Sequence, residues 1–275
     1  MRLGMNYGMK ASNPVKWAES LKALGVRATS FPLDYKADYN TIEAYKQAAE
    51  DYSIQIAEVG AWCNPMSPSR KEAEKAMERC VEQLKLADHI GATCCANITG
   101  AAGKIWDGAY AENFAPEFYQ RMVEKTREII EKAAPEKTYY AIEPMPYMVP
   151  TGPDEYLKLI EDVGSPRMAV HLDMVNWMNS PERVFNQQKF MDEVFMKLHG
   201  RIVSCHFKDF EIQQRLTFHI EETPVGKGIF DIDYYVKKIN EEDPTLPLMI
   251  EHLSSKSAYV RSMKYINKRY AGMPG

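Results

Sequence analysis

Four apolar segments of the sequence each end on a side chain that can bind a metal ion or move a proton. The segment TYYAIE ends at Glu143, RMAVHLD ends at Asp173 and LPLMIE ends at Glu251. A fourth segment, IVSCH, ends at His206, and Lys208 follows two residues later. A charged group at the end of an apolar strand is costly to bury unless a partner compensates it, so these positions are candidate functional residues.

Three carboxylates that converge on one point repel one another strongly unless positive charge lies between them. Glu143, Asp173, His206 and Glu251 could together bind one divalent cation. Oxygen ligands with one imidazole suit Mn²⁺, Co²⁺ or Mg²⁺, with Zn²⁺ as a further choice. The simpler alternative is that each acid caps a helix or pairs with a surface lysine. The matching positions of the four residues, each at the end of its segment, favour a single metal site.

The elements that would position these residues follow from a repeated pattern in which a short apolar segment precedes an amphipathic one. The apolar segments are Leu3–Tyr7, Arg27–Phe31, Ile54–Ala61, Ala92–Ile98, Thr138–Glu143, Met168–Asp173, Ile202–His206 and Leu248–Glu251. Eight strand–helix units within about 250 residues have the size of a (β/α)8 barrel. An open, doubly wound sheet is the alternative, but no G-x-G-x-x-G motif follows the first strand. We therefore predict an α/β fold, a single-domain (β/α)8 TIM barrel over residues 1–275.

Alternation within the last four strands supports the same arrangement. In a barrel strand alternate residues point inward, and the last inward residue faces the mouth of the barrel. If the four candidate ligands point inward, the residues facing the helices are apolar or thiol on every strand: Ile142, Leu172, Cys205 and Ile250. The residues one layer deeper are then Ala141, His171, Ser204 and Met249. We therefore expect the four ligands to converge at one mouth.

The composition is that of an ordinary globular protein. Of 275 residues 45% are hydrophobic and 26% charged, and the net charge of −4 argues against nucleic acid, because phosphate binding needs clustered lysine and arginine. No apolar run has the length of a membrane span. The start, MRLGMNYGMK, lacks the apolar stretch of a signal peptide, and five cysteines without a framework spacing indicate reduced thiols. We therefore expect a cytoplasmic protein.

Five short motifs resemble, in this order, those of the sugar isomerase/epimerase group of xylose-isomerase-like TIM barrels: AIEPMP, HLDMVN, CHFKDF, PVGKGIFD and LMIEHL. The group includes ketose 3-epimerases, inosose dehydratases and isomerases, and the large subunits of C-glycoside deglycosidases. The resemblance implies that Glu143, Asp173, His206 and Glu251 bind one divalent metal, commonly Mn²⁺, and that the two glutamates move substrate protons. It also implies a small carbohydrate substrate and a homodimer or homotetramer.

Two positions depart from the ketose 3-epimerase pattern. Those enzymes carry a substrate-binding histidine three residues after the metal-binding aspartate, where this chain has Asn176. They also carry an arginine shortly after the metal-binding histidine, where this chain has Ile212 and where Arg215 is the nearest candidate. The resemblance therefore implies the metal chemistry but does not specify the substrate.

Further side chains are candidates for contacting the substrate. Lys208 should point inward like His206, either to polarise a substrate oxygen or to pair with Asp173 or Asp209. His171 is expected to lie behind the metal ligands, one layer deeper. The remaining candidates lie at predicted strand ends or in loops, and they are Asn6, Tyr7, Trp62, Trp106, Asn176, Arg215, His219 and Glu222.

Four functions are compatible with these residues. The first is a metal-dependent isomerase or epimerase of a ketose or keto-sugar derivative, in which Glu143 and Glu251 act as acid and base, in either order, next to a metal-bound carbonyl. The second is a lyase that uses the same site to eliminate water or an aglycone, with a small second subunit if it is a C-glycoside deglycosidase. The third is an abasic-site endonuclease, which would need more histidines at strand ends, and the fourth is a metal-binding barrel without catalysis. The first interpretation is favoured.

Overall fold

The chain folds as a closed barrel of parallel strands surrounded by helices, and the computed structural model describes residues 1–6 and 13–270. Within these residues the strands are β1 (Arg2–Met5), β2 (Ala28–Ser30), β3 (Gln55–Gly60), β4 (Cys94–Ile98), β5 (Tyr139–Glu143), β6 (Met168–Leu172), β7 (Ile202–Phe207), β8 (Asp209–Ile212), β9 (Ile220–Thr223) and β10 (Pro247–Ile250). The barrel order is β1-β10-β7-β6-β5-β4-β3-β2, while β8 and β9 pair antiparallel outside the barrel. The predicted (β/α)8 TIM barrel is confirmed.

Helices connect successive barrel strands along the outside. Within the described residues they are α1 (Pro14–Ala23), α2 (Tyr39–Asp51), α3 (Arg70–Ile90), α4 (Pro116–Ala133), α5 (Pro153–Val163), α6 (Pro181–Phe185), α7 (Gln187–Lys197), α8 (Ile232–Glu242) and α9 (Lys256–Arg269), with a short 3₁₀ helix at Ala111–Phe114. The side chain of Asn13 accepts a hydrogen bond from the N–H of Lys16 and caps α1, with Pro14 in the first turn. None of the helices in this part of the chain has the length and apolar character that a membrane span requires.

The alternation predicted for the last four strands is present in the core. The residues that face the helices belong to the main hydrophobic core, and they are Ile142, Leu172, Cys205 and Ile250. Two smaller buried clusters consist of strand residues alone and fill the barrel interior: Cys94, Ala96, Ala141 and Ala169 in one, Ala28, Ala57 and Met249 in the other. Small alanines let the narrow interior close, and the polar side chains occupy the layers above them.

The segment between β7 and α8, which the sequence indicates only as a long loop, contains the hairpin of β8 and β9. Asp209 anchors the end of this segment, because its Oδ2 accepts hydrogen bonds from the N–H groups of Gly226 and Gly228, each at 2.9 Å, and its Oδ1 accepts one from Phe230 at 3.0 Å. A Cβ atom on Gly228 would overlap Asp209 and the Phe210 carbonyl. The Gly226–Gly228 sequence is therefore a turn held by Asp209.

Candidate active site

Four side chains from four adjacent barrel strands converge at the carboxyl ends of those strands. Glu143 ends β5, Asp173 directly follows β6, His206 lies in β7 and Glu251 directly follows β10. One ligand atom of each residue lies within 4.8 Å of those of the other three. Nδ1 of His206 lies 2.9 Å from Oε1 of Glu143, 2.9 Å from Oε1 of Glu251 and 4.0 Å from Oδ2 of Asp173. The structure therefore brings the four predicted ligands together.

Lys208 lies against this cluster and pairs with two of its acids. Its Nζ is 2.8 Å from Oδ2 of Asp173 and 2.8 Å from Oε1 of Glu251, and the residue is 3% exposed. Nζ also donates a hydrogen bond to Oδ1 of Asn176 at 3.1 Å, while Nδ2 of Asn176 donates to Oε1 of Glu143 at 3.3 Å. Asn176, which stands where ketose 3-epimerases carry a histidine, thus links the lysine to the opposite glutamate.

Burial and mutual charge give the members of the cluster very different proton affinities. Burial raises the pKa of Glu143 to about 7, with the positive charge of His206 opposing the shift and Glu251 adding to it. Burial also acts to raise the pKa of Glu251, but the charges of His206 and Lys208 outweigh it and hold that pKa well below its usual value. Burial acts to lower the pKa of His206, whereas Glu251 and Glu143 raise it well above its usual value. A divalent cation would compete with the His206 proton and lower the pKa of both glutamates.

Two buried carboxylate oxygens in the cluster lack a hydrogen bond from any described residue. They are Oδ2 of Asp173 and Oε1 of Glu251. The ion pairs with Lys208 compensate their charge without the geometry of a hydrogen bond. Because buried polar atoms are normally hydrogen-bonded, these two acceptors beside His206 Nδ1 fit the coordination of a cation. Three carboxylates and one imidazole are also ligands that Mn²⁺ and Mg²⁺ accept.

A further acid, which the sequence interpretation missed, lies directly beneath the ligands. Glu58 of β3 is fully buried, and its Oε2 is 3.4 Å from Nε2 of His206 and 3.5 Å from Nε2 of His171. Its Oε1 accepts a hydrogen bond from the Ser30 hydroxyl at 2.7 Å. His171 lies behind the ligands as expected, with its Nε2 2.8 Å from that of His206. Burial lowers the pKa of His171 to about 3.

An irregularity in β3 explains why strict alternation did not identify Glu58. Thr29 of β2 pairs with Ile56, but Ser30 pairs with Glu58, so Ala57 is an extra residue on β3. A bulge of this kind changes which face the following side chain points to. Ala57 and Glu58 consequently both face the barrel interior. The acid within the apolar segment QIAEVG was the signal that could have identified it.

Glu143 and Glu251 open onto a cavity of about 470 Å³ at the barrel mouth. Much of its wall is aromatic or apolar, formed by Trp62, Ile98, Trp106, Met145, Pro146, Tyr147 and Tyr259. Polar side chains complete the wall, and they are Asn6, Asp107, Asn176, Glu222 and His252. The Trp62 ring centroid lies 6.2 Å from that of His206. An aromatic wall opposite a charged cluster suits a small polar ligand with one apolar face.

The sequence matches one protein family over residues 17–269, that of the xylose isomerase-like TIM barrels. The chain belongs to this family. The match covers the strands that carry all four predicted ligands, and it confirms the family that the five motifs indicate. Comparison with curated proteins finds no matching sequence.

Solved structures resemble the barrel over nearly its whole length at low sequence identity. The probable 3-DHS dehydratase AsbF of Bacillus anthracis, involved in petrobactin synthesis, has a TM-score of 0.75 and 18% identity over 98% of this chain and 100% of its own. The 3-keto-D-glucoside 4-epimerase YcjR of E. coli has a TM-score of 0.74 and 14% identity over 98% and 99%. A xylose isomerase-like TIM barrel protein of Mycobacterium smegmatis, in complex with magnesium, has a TM-score of 0.69 and 17% identity over 95% and 89%. At sequence identities this low, the structural similarity shows a shared fold and nothing further.

In this member of the xylose isomerase-like family, the other predicted substrate contacts fall into four groups. Asn6, Trp62, Trp106, Asn176 and Glu222 line the cavity, and Lys208 contacts the cluster beside it. Arg215 and His219 do not line it, because they lie at the hairpin between β8 and β9, where Nε2 of His219 is 3.4 Å from Glu221. The antiparallel pairing of the hairpin brings Glu222 to the cavity while its tip extends into solvent. The predicted contact Tyr7 lies outside the described residues.

His252 is a cavity residue that the sequence interpretation missed. It follows Glu251 directly and adopts a left-handed backbone conformation with φ of 55°, which is uncommon for a residue other than glycine. Its Nδ1 lies 3.2 Å from Oε2 of Glu222, and its Nε2 lies 3.7 Å from Oε2 of Glu251. Its position next to Glu251 in LMIEHL was visible in the sequence, but alternation would have directed it away from the interior.

Proposed function

We propose that this protein is a divalent-metal-dependent isomerase or epimerase of a ketose or keto-sugar derivative. One observation carries the proposal: Glu143, Asp173, His206 and Glu251 bring one ligand atom each within 4.8 Å of the others, and two of the four open onto the cavity. A divalent metal held by these four residues would polarise a substrate carbonyl and so acidify the adjacent carbon. Proton transfer at that carbon is then the task of the protein's own side chains.

Glu143 and Glu251 are the proposed acid and base. They belong to β5 and the end of β10, which β6 and β7 separate in the barrel, so they reach the cavity from different sides. One glutamate removes the proton next to the carbonyl and the other returns a proton. Return to the opposite face of the same carbon is epimerisation, and return to the neighbouring carbon is isomerisation. Side chains held at hydrogen-bond distance from a reacting group typically contribute about 10²–10⁴-fold to the rate.

The remaining residues of the site would bind and orient the sugar. The Lys208 ammonium lies 2.8 Å from two acids of the cluster, and it would donate a hydrogen bond to a substrate oxygen in exchange for one of these partners. Trp62 and Trp106 offer ring faces against which the apolar face of a sugar can pack. These contacts restrict the sugar to one orientation and exclude water from the reacting carbon.

The proposed cofactor is one Mn²⁺ ion, with Co²⁺, Mg²⁺ and Zn²⁺ as alternatives that the same ligands accept. A structurally similar protein is known in complex with magnesium. We further propose a homodimer or homotetramer, which the resemblance of the five motifs implies, and a cytoplasmic location, which suits the free thiols of all five cysteines.

A lyase that acts on a keto-sugar is the second candidate. The same proton abstraction expels a leaving group when the carbon beyond the acidified one carries a hydroxyl or an aglycone. Two observations favour it: the fold is shared with a probable dehydratase over 98% of the chain, and the aromatic wall of the cavity could accommodate an aglycone. A C-glycoside deglycosidase would in addition need a small partner subunit.

Solvent deuterium exchange followed by NMR tests the proposed chemistry. The Mn²⁺-loaded protein is incubated in D₂O with ketoses and 3-keto-glycosides, and a sample stripped with EDTA serves as the control. We expect metal-dependent loss of the proton signal next to the carbonyl of at least one compound. New product signals then separate epimerisation and isomerisation from elimination. Absence of exchange across the panel, at full metal occupancy, would contradict the proposal for this substrate class.

Trp62 allows a prediction about substrate binding that leaves the charged cluster unchanged. A Cβ atom on Gly60 would overlap the Trp62 indole, so Gly60→Ala should displace this ring from the cavity wall. We expect Gly60→Ala and Trp62→Ala to raise KM by about threefold to tenfold, which corresponds to the loss of one aromatic packing contact. Metal content should remain that of the wild type. Steady-state kinetics with parallel metal analysis checks this, and an unchanged KM in both variants would exclude Trp62 as a substrate contact.

A further inference from the structure

Glu58 and His171 lie beneath the proposed metal ligands and form, with the ligand His206, a cluster that has no access of its own to solvent. All three residues are 1% exposed or less. The His171 and His206 rings are nearly perpendicular, at 89°, with centroids 4.1 Å apart and the two Nε2 atoms 2.8 Å apart. Oε2 of Glu58 lies 3.4 Å from one Nε2 and 3.5 Å from the other. A charged group thus lies between the barrel core and the ligand set.

Folding alone does not account for this arrangement. Oε2 of Glu58 has no hydrogen bond from a described residue, and Nδ1 of His171 is likewise without a partner among them. A buried carboxylate needs a partner that compensates its charge, and the side chains nearest to Oε2 of Glu58 are the two imidazoles. On β4 the residue paired with Glu58 is Cys94, which belongs to an apolar cluster with Ala96 and Ala141. A buried charge directed at a proposed metal ligand calls for a functional explanation.

We propose that Glu58 and His171 are positioning residues that hold the His206 ring with Nδ1 toward the three carboxylates and thereby strengthen divalent-metal binding. This inference rests on the proposed function, since it assigns a role within the same site. Neither residue touches the cavity, so both act through His206.

The geometry of the two imidazoles supports this role. One proton fits between two nitrogens 2.8 Å apart. When Nδ1 of His206 is a ligand, that proton belongs to Nε2 of His206, and Nε2 of His171 accepts the hydrogen bond. The perpendicular His171 ring then prevents His206 from flipping, which would exchange its two nitrogens. Outer partners of this kind fix the orientation of a ligating histidine and make it a stronger donor.

The charge of Glu58 is independent support for the positioning role. An imidazole that donates its lone pair to a cation becomes more positive, and the Glu58 carboxylate lies 3.4 Å from the opposite nitrogen of that ring. The attraction is strong because water is excluded from this layer of the barrel. Ser30 holds the carboxylate in place through Oε1, which leaves Oε2 toward the histidines. Glu58 therefore favours the metal-bound His206 ring over a neutral one.

The test compares Glu58→Gln and His171→Phe with the wild type. Mn²⁺ affinity is measured on metal-stripped protein by electron paramagnetic resonance of free Mn²⁺, and thermal unfolding is measured without metal. We expect both variants to bind Mn²⁺ about 10–100-fold more weakly. The thermal unfolding curves show whether both metal-free variants are folded at the temperature of the affinity measurement. The visible spectrum of the Co²⁺-saturated protein should also shift in Glu58→Gln, a change that a purely structural role would not produce.

Thr138→Val is a matched control. Thr138 is a buried polar residue just before β5, and its hydroxyl donates to the Ala92 carbonyl at 2.8 Å, away from the cluster. This variant should lose stability and keep wild-type Mn²⁺ affinity. Wild-type affinity in Glu58→Gln and in His171→Phe would overturn the inference. So would a second equivalent of bound metal that disappears in Glu58→Gln, because Glu58 would then be a ligand itself.

His206→Ala separates this inference from the proposed function. If His206→Ala binds Mn²⁺ as tightly as the wild type, the assignment of the four residues as metal ligands is wrong, and the proposed function fails with it. If His206→Ala loses the metal while Glu58→Gln and His171→Phe keep it, the site stands and the positioning role fails.

Discussion

Glu143→Gln and Glu251→Gln are each expected to lose about 10²–10⁴-fold in kcat while the barrel remains folded. Glutamine has the shape of glutamate but cannot accept and release a proton, and both side chains open onto the cavity where the substrate would bind. Burial raises the pKa of Glu143 to about 7, so loss of its charge should cost little stability. Glu251 pairs with Lys208 at 2.8 Å, so Glu251→Gln should lower the free energy of unfolding more than Glu143→Gln does. Steady-state kinetics and circular dichroism check the two parts of this prediction.

Glu242→Gln is the matched control for these variants. The Glu242 side chain is 6% exposed, and it accepts a hydrogen bond from the Gly200 N–H at 2.6 Å, at a position that does not line the cavity. It should keep wild-type activity although a buried carboxylate has been lost. Full activity in Glu251→Gln would contradict the mechanism with two glutamates.

Asp173→Asn and His206→Ala are expected to lose most of the bound metal, and with it the stability that metal binding provides. Asp173 supplies Oδ2, which accepts no hydrogen bond from a described residue, and His206 supplies the one nitrogen ligand of the four. A ligand that binds the folded state alone stabilises it by about 2.7 kcal/mol at a free concentration of about 100 times Kd. For a chain of this size that corresponds to about 5–10 °C in Tm. The wild type should show this increase on addition of Mn²⁺, and the two variants should not.

Metal analysis of the purified proteins completes this prediction. EDTA-treated wild type serves as the reference, because it has the same side chains without the ion. An unchanged metal content in His206→Ala would show that the ion is bound elsewhere. An unchanged Tm of the wild type with and without Mn²⁺ would show that the four residues do not form a metal site in the folded protein.

The barrel and its converging ligands were predictable because both depend on local patterns. Apolar runs at regular spacing predict the strands, and each predicted segment coincides with an observed barrel strand to within a few residues. The alternation that places Ile142 and Cys205 outward places Glu143 and His206 inward, and period-2 alternation holds wherever a strand is regular. A site built at the regular ends of adjacent strands is therefore visible in the sequence.

The residues that were missed depend on irregular backbone. Glu58 reaches the interior through a bulge at Ala57, and His252 reaches the cavity through a left-handed backbone conformation. Neither position follows the period-2 alternation of a regular strand, so the sequence pattern does not indicate it. The pairing of β8 with β9 brings Glu222 rather than Arg215 to the cavity, since long-range register decides which residue of a loop faces inward. Lys208 was predicted to point inward, but its partners among the acids depended on distances in the folded chain.

The most direct test of the central claim is the position of the metal in crystals of the Mn²⁺-loaded protein, located by anomalous X-ray scattering at the manganese edge. We predict one peak about 2 Å from ligand atoms of Glu143, Asp173, His206 and Glu251, with Nδ1 as the histidine donor. A loaded crystal without a peak among these four side chains, or with its peak between Glu58 and His171, would contradict the account.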